Sequence, residues 1–334
     1  MPLPFILAGL AVGAGLVGAK KAYDAHSKNS EAESIQSSAQ WLVDEAKYKL
    51  EEAREDTENN LKALGRTKVR VLNDDVKRFL STFQQIHNVE LSRSAGLNEL
   101  SHFQMNEGSL AELRELGNLA EDLASGLASG TAAGGLVALG AYGGAMWLGT
   151  ASTGTAIAAL SGAAATNATL AFLGGGSLAA GGLGIAGGTA VLGGIIAGPA
   201  LAVMGFMMDS KADENLERAR GNYARAQRMK EELEATTDVC RAISRRAAMF
   251  TNLLGSLEDL FKPQIHAMED IVRDAGTDYR QYNEGEKEDI AKVLATAAAI
   301  KSVLDTPILT ESGALTEESA QLVPRIKGFL TTAQ

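Results

Sequence analysis

Charge is missing from the middle of this chain. Residues 123–208 contain no Asp, Glu, Lys or Arg, although 22% of the 334 residues are charged and the net charge is −10. A soluble domain needs charged side chains to cover its surface, so an uninterrupted run of this length points to contact with lipid. Other scarcities narrow the function further. Cys240 is the only cysteine, which excludes an internal disulfide framework. The histidines, His26, His87, His102 and His266, are scattered singly and none has a partner at metal-ligand spacing. Residues 1–122 carry 14 Lys/Arg against 19 Asp/Glu, which is not the clustered positive charge that nucleic-acid binding requires. Alternating apolar and polar residues appear over no useful length, so strands are not expected.

Glycine is abundant where charge is absent. Residues 123–208 hold 22 of the chain's 36 glycines, and only 26 of these 86 residues are Leu, Ile, Val, Phe, Met or Trp. Gly and Ala contribute far less insertion free energy than Leu or Ile, so partition into lipid should be marginal, with the segment shielded by protein in one state and inserted in another. The strongest spanning candidate is residues 189–208, with Phe206 near its end, and its partner is residues 131–149, where Trp147 suits an interface. Glycines four apart recur at Gly130/Gly134, Gly140/Gly144, Gly184/Gly188 and Gly194/Gly198. In a water-exposed helix each glycine costs about 1 kcal/mol relative to alanine, so their number needs a compensating gain. Close helix packing supplies one, which makes Gly140, Gly144, Gly184, Gly188, Gly194 and Gly198 candidate membrane-packing residues.

The flanks read differently. Residues 3–19 form an apolar run that ends at Lys20 and Lys21. A secretory signal carries its positive charge ahead of the apolar region, so the preferred assignment is a membrane-inserted helix with both lysines on the cytoplasmic side. A cleaved signal and a buried helix of a soluble assembly are the alternatives. Ser30 with Glu33 matches a capping box and predicts the start of a long amphipathic helix, whose apolar face is Ile35, Ala39, Leu42, Ala46, Leu50, Ala53, Thr57, Leu61 and Leu64. The pattern resumes after Gly65 through Val69, Leu72, Val76, Phe79, Phe83 and Ile86, as a continuous helix or a gently broken pair. Residues 92–108 read as a loop or a short interrupted helix. Ser109 with Glu112 predicts another start, with Leu113, Leu116, Ala120, Leu123 and Leu127 on one face. Beyond Asp209 a second long pattern runs through Leu216, Ala219, Tyr223, Ala226, Met229, Leu233, Ile243, Ala247, Phe250, Leu254 and Leu257. Pro263 is expected to interrupt it, and shorter helices fit residues 286–303 and 316–329.

Several motifs have a chemical appearance without the context that chemistry needs. The spacings Gly13/Gly15/Gly18 and Gly182/Gly184/Gly187 match a dinucleotide fingerprint, but no strand precedes either and no second strand supplies an acid for the ribose. Residues 174–177, GGGS, lack the Lys-Ser/Thr ending of a phosphate loop. Glu51/Glu52, Glu55/Asp56 and Asp74/Asp75 are expected on solvated helix faces, since general acid–base work needs an enclosed site. No catalytic, cofactor-binding or metal-binding residues are assigned.

The run GTASTGTAIAALSGAAATNATLAFLGGGSLAAGGLGIAGGTAVLGG, residues 149–194, resembles a block found in a widespread group of largely uncharacterised bacterial proteins, where it also sits between charged helical arms. The resemblance implies a bacterial origin and a helical glycine-zipper membrane segment, and it transfers no catalytic residues. The layout is also similar to that of helical pore-forming proteins, which keep a hydrophobic hairpin within an amphipathic bundle.

The expected architecture is all-α: an apolar segment over residues 1–21, an amphipathic arm over 30–122, a Gly/Ala-rich hairpin over 123–208, and a C-terminal arm with short helices over 209–334. The two arms are expected to pair in a coiled-coil-like manner. The expected partners are the lipid bilayer and further copies of the chain, with no nucleic acid and no cofactor. The expected location is the bacterial inner membrane, with the arms cytoplasmic because Lys211, Arg218 and Arg220 follow the last apolar segment. The function expected is a homo-oligomer that perforates that membrane, as a defence or toxin effector. A non-enzymatic membrane scaffold is the alternative, and an enzyme ranks third.

Overall fold

The computed structural model describes residues 4–89, 105–128, 136, 139–141, 212–310 and 314–333, with backbone alone over 4–25. The protein is all-α. Helix α1 spans Pro4–Arg70, a π-helical turn follows at Val71–Val76, and then come α2 (Lys77–Phe83), α3 (Glu107–Ala128), α4 (Ala212–Ala275), α5 (Glu284–Asp305) and α6 (Glu317–Thr332). Among the described residues there is no strand, only isolated bridges between His87 and Asp278 and between Leu309 and Leu315.

Local signals place some of these boundaries and tertiary packing overrides others. Asn283 and Glu286 form a reciprocal capping box at the start of α5, each accepting from the other's backbone N–H at 2.9 and 2.8 Å. Thr316 caps α6 through the Ser319 amide at 3.2 Å. Three expectations need correction, at Ser30, Ser109 and Pro263. Ser30 opens no helix, because α1 already runs through it from Pro4. Of the two forms open for the first arm, α1 takes the continuous one through Gly65, and the irregularity falls at Val71–Val76, where the Lys77 amide donates to the Leu72 carbonyl. The cap of α3 is Asn106 rather than Ser109, whose own amide donates to Asn106 Oδ1 at 2.7 Å. Pro263 lies inside α4: it and Asp259, whose carbonyl it deprives of a helical donor, are both exposed residues, while Phe261 and Ile265 on either side are fully buried and hold the helix in place.

The described residues form two compact units, divided after Glu52 in α1 and after Asp238 in α4. In the first unit alanine is frequent at buried positions: Ala32, Ala39 and Ala46 recur every seven residues on α1, and Ala219, Ala226 and Leu233 do so on α4, with Val43 and Leu50 also buried. Asn215 donates to Asn29 at 3.3 Å, and Arg220 pairs with Glu31 at 3.0 Å. Both residue numbers rise together, so the two helices run parallel in this unit.

The second unit is a helical bundle with one core. Leu61, Leu64, Val71, Phe79, Phe250, Leu254, Phe261, Val293, Ile300 and Ile326 are all essentially inaccessible. Here too α1 and α4 are parallel. Thr57 donates to the Cys240 carbonyl (2.8 Å), Asn60 to Ser244 (2.7 Å), Arg70 to Glu258 (2.6 Å), and Arg78 to Glu269 (2.6 Å). Parallel neighbours cannot be joined by a tight turn, so the chain that leaves at Phe83 must return before it re-enters at Val239. Part of that return is visible. Glu121 of α3 meets Lys77 at 2.7 Å, then Leu136 lies against Gly65 and Gly140 against Leu61, so these contacts run antiparallel to α1 and α2.

Candidate functional site at the start of the charge-free stretch

Leu136 and residues 139–141 are where the charge-free stretch is seen docked on the bundle. Three sets of contacts hold them. The first is close backbone packing. A Cβ on Gly65 would be driven into the Leu136 carbonyl, whose carbon lies 2.8 Å away, and a Cβ on Gly140 would meet the Leu61 carbonyl carbon at 3.0 Å. Only glycine at both positions lets the two helical segments approach this closely. The second is polar: the Ala141 carbonyl accepts from the amides of Ile308 (2.8 Å) and Leu309 (3.1 Å), just beyond the end of α5.

The third contact is Lys68, which is 0% exposed. Its Nζ donates to the carbonyl of Leu139 at 3.0 Å and to that of Leu304, in the last turn of α5, at 3.4 Å. Burial pushes the amine down to about 7, opposed by the charge of Asp305. Asp305 is itself paired with Lys301, which also reaches Glu112 of α3 at 2.6 Å. One buried lysine therefore ties α1, α5 and the charge-free stretch together at a single point.

A second polar cluster lies on the π turn. Asp75 was expected on a solvated face, yet it is buried and its Oδ2 has no hydrogen-bond partner. It lies within the π turn beside Val71, Leu72 and Val76, all buried. Burial is the main reason its carboxyl is raised to about 6; Glu258 and Asp74 reinforce the shift, while Lys262 and Arg70 oppose it. Glu258, also buried, bridges Arg70 and Lys262 at 2.6 Å each. Glu51, Glu52, Glu55, Asp56 and Asp74 are exposed, as expected.

Of the residues assigned to membrane packing, Gly140 lies in the described part, and its nearest neighbour is the Leu61 backbone. Gly144, Gly184, Gly188, Gly194, Gly198, Trp147 and Phe206 lie outside the described residues. Lys20 and Lys21 are helical within α1, and their side chains lie outside the described set. Among the described residues no helix is long and apolar enough to cross a membrane, and no group of three His, Cys, Asp or Glu could hold a metal ion. Lys68 and Asp75 escaped the sequence pattern because both are charged. Their spacing was the available signal, since Leu61, Lys68, Asp75 and Thr82 follow one another at intervals of seven and all four are buried.

No protein-family model, curated protein or solved structure matches this chain.

Proposed function

We propose that this protein is a homo-oligomeric, membrane-inserting helical protein, in which the bundle carries the charge-free stretch to the bacterial inner membrane and the stretch permeabilises it. The observation that carries this proposal is the stretch itself, 86 residues without a charged side chain between two strongly charged helical regions. The docking geometry supports it. Where it is seen docked, the stretch is held by glycine contacts, backbone hydrogen bonds and the buried side chains of Leu136 and Leu139, so its release would expose apolar surface that a bilayer can cover. The arms keep their long charged faces in water, as a carrier at a membrane surface would. A non-enzymatic scaffold, in which the arms assemble on the membrane and the stretch only anchors them, is the second candidate, favoured by the length of α1 and α4 and by the exposed Trp41 and Tyr48 on α1.

The deciding experiment uses the full chain with liposomes of bacterial lipid composition. Binding, oligomerisation and release of an encapsulated dye together support permeabilisation. Binding and oligomerisation without release would leave the scaffold, and failure to bind would overturn membrane insertion altogether.

A further inference from the structure

We propose that Lys68 turns the docking of Leu136 and residues 139–141 into a proton-sensitive clamp, closed on the bundle when the amine is neutral and loosened when it is charged. The clamp works through bundle contacts alone, whether or not residues 123–208 ever enter a bilayer. Its geometry suits a neutral amine: Nζ faces two backbone carbonyls, those of Leu139 and Leu304, and a neutral amine has two N–H groups to give them. An ammonium adds a third N–H and a full charge at a position with no exposure.

The surrounding charges offer limited compensation. From α5 the opposing charge is Asp305, shared with Lys301. From α3 the nearest charge in the network is Glu112, also held by Lys301. The docked segment contributes the Leu139 carbonyl, and none of Leu136 and residues 139–141 is ionisable. The buried acid of α4, Glu258, is engaged with Arg70 and Lys262. A charged Lys68 therefore gains most by reaching water, which means leaving the Leu139 and Leu304 carbonyls and so loosening the contact that Gly140 and the Ala141 carbonyl share with the bundle.

The sign follows from proton linkage. In the closed state the amine titrates near 7, and in an opened state it returns towards 10.5. Opening then takes up a proton between these limits, so lowering the pH from 10.5 to 7 favours opening by up to about tenfold per unit. Below about 7 both states are protonated and the dependence levels off.

Hydrogen exchange tests this directly. The amides of Ile308 and Leu309 donate to the Ala141 carbonyl, so their protection reports the clamp, while the amides of His87 (to Thr277) and Tyr279 (to His87) lie elsewhere in the same unit and serve as controls. In the full chain, protection of Ile308 and Leu309, corrected for intrinsic exchange, should fall several-fold per unit from pH 9 to 7 and flatten below 7, with the controls steady. Lys68→Met should abolish the slope. Asp305→Asn should move the plateau to lower pH, and it decides the matter if Lys68→Met does not fold. Equal protection at pH 9 and 7, a slope retained in Lys68→Met, or controls that fall in parallel would each overturn the clamp.

Discussion

Gly65 and Gly140 lie where two helical segments touch backbone to backbone, each glycine facing a carbonyl of the other segment, Leu136 and Leu61 respectively. A methyl group at either position has nowhere to go, because the obstructing atoms are main chain and cannot rotate aside. Gly65→Ala and Gly140→Ala should each destabilise the bundle by about 1–3 kcal/mol, the usual cost of overpacking. Gly255→Ala is the matched control: it lies inside α4 with nothing within 4 Å of the added Cβ, and it should stabilise by about 0.5–1 kcal/mol through helix propensity. Urea denaturation of the three variants would expose a wrong assignment if all shifted the same way.

Asp75 gives a pH-dependent expectation. Its carboxyl is raised to about 6 in the folded protein against 3.8 when exposed, so folding favours the protonated form. The stability it contributes is present below pH 4 and is lost as pH rises through 6. Asp75→Asn removes this dependence. The variant should match the parent near pH 4 and exceed it by about 1–2 kcal/mol at pH 7.5, the figure being reduced for partial solvent screening. Denaturation midpoints at the two pH values measure the difference, and a variant less stable at pH 7.5 would show that the charged carboxylate is needed.

The contrast between these sites shows what was legible in the sequence. The apolar faces were readable because burial of Leu, Val and Phe at three- and four-residue spacing is what makes a helix pack. Ala39, Ala46, Leu50, Ala53, Leu61, Leu64, Val69, Leu72, Val76, Phe79, Phe83 and Ile86 are buried as that periodicity requires. The ends and irregularities were less readable. A capping motif such as Ser30/Glu33 acts only where a helix begins, and Pro263 is tolerated where it and Asp259 are exposed. The close approach at Gly65 depends on a partner 71 residues away in sequence, and no local pattern encodes it. The parallel arrangement of α1 and α4 was equally invisible, because an amphipathic stripe does not specify the direction of its neighbour.

Cys240 is a built-in reporter of bundle opening. It is 0% exposed, burial holds its thiol above the ordinary range, and its carbonyl accepts from the buried Thr57 hydroxyl. A thiol reagent should therefore modify the native protein far more slowly than the urea-unfolded chain. Thr57→Val removes that hydroxyl while keeping the shape, and it should cost about 1 kcal/mol and speed labelling by roughly fivefold. Rapid labelling of the parent protein without denaturant would contradict the burial of this position.

The pair Gly194/Gly198 separates a pore from a scaffold. If glycine faces allow helices of the charge-free stretch to close into a ring, Gly194→Leu/Gly198→Leu blocks that approach while making the segment more apolar. Membrane binding should then persist or increase, because each Leu adds insertion free energy. Release of liposome contents should nevertheless fall several-fold, since a ring that cannot close cannot hold an aqueous path. In a scaffold the arms carry the assembly, and the same double variant would keep its membrane activity unchanged. The two outcomes differ in release at equal binding, so both must be measured on the same preparation. Release that rises in step with the added hydrophobicity would count against a glycine-packed pore and point to nonspecific disruption of the bilayer instead.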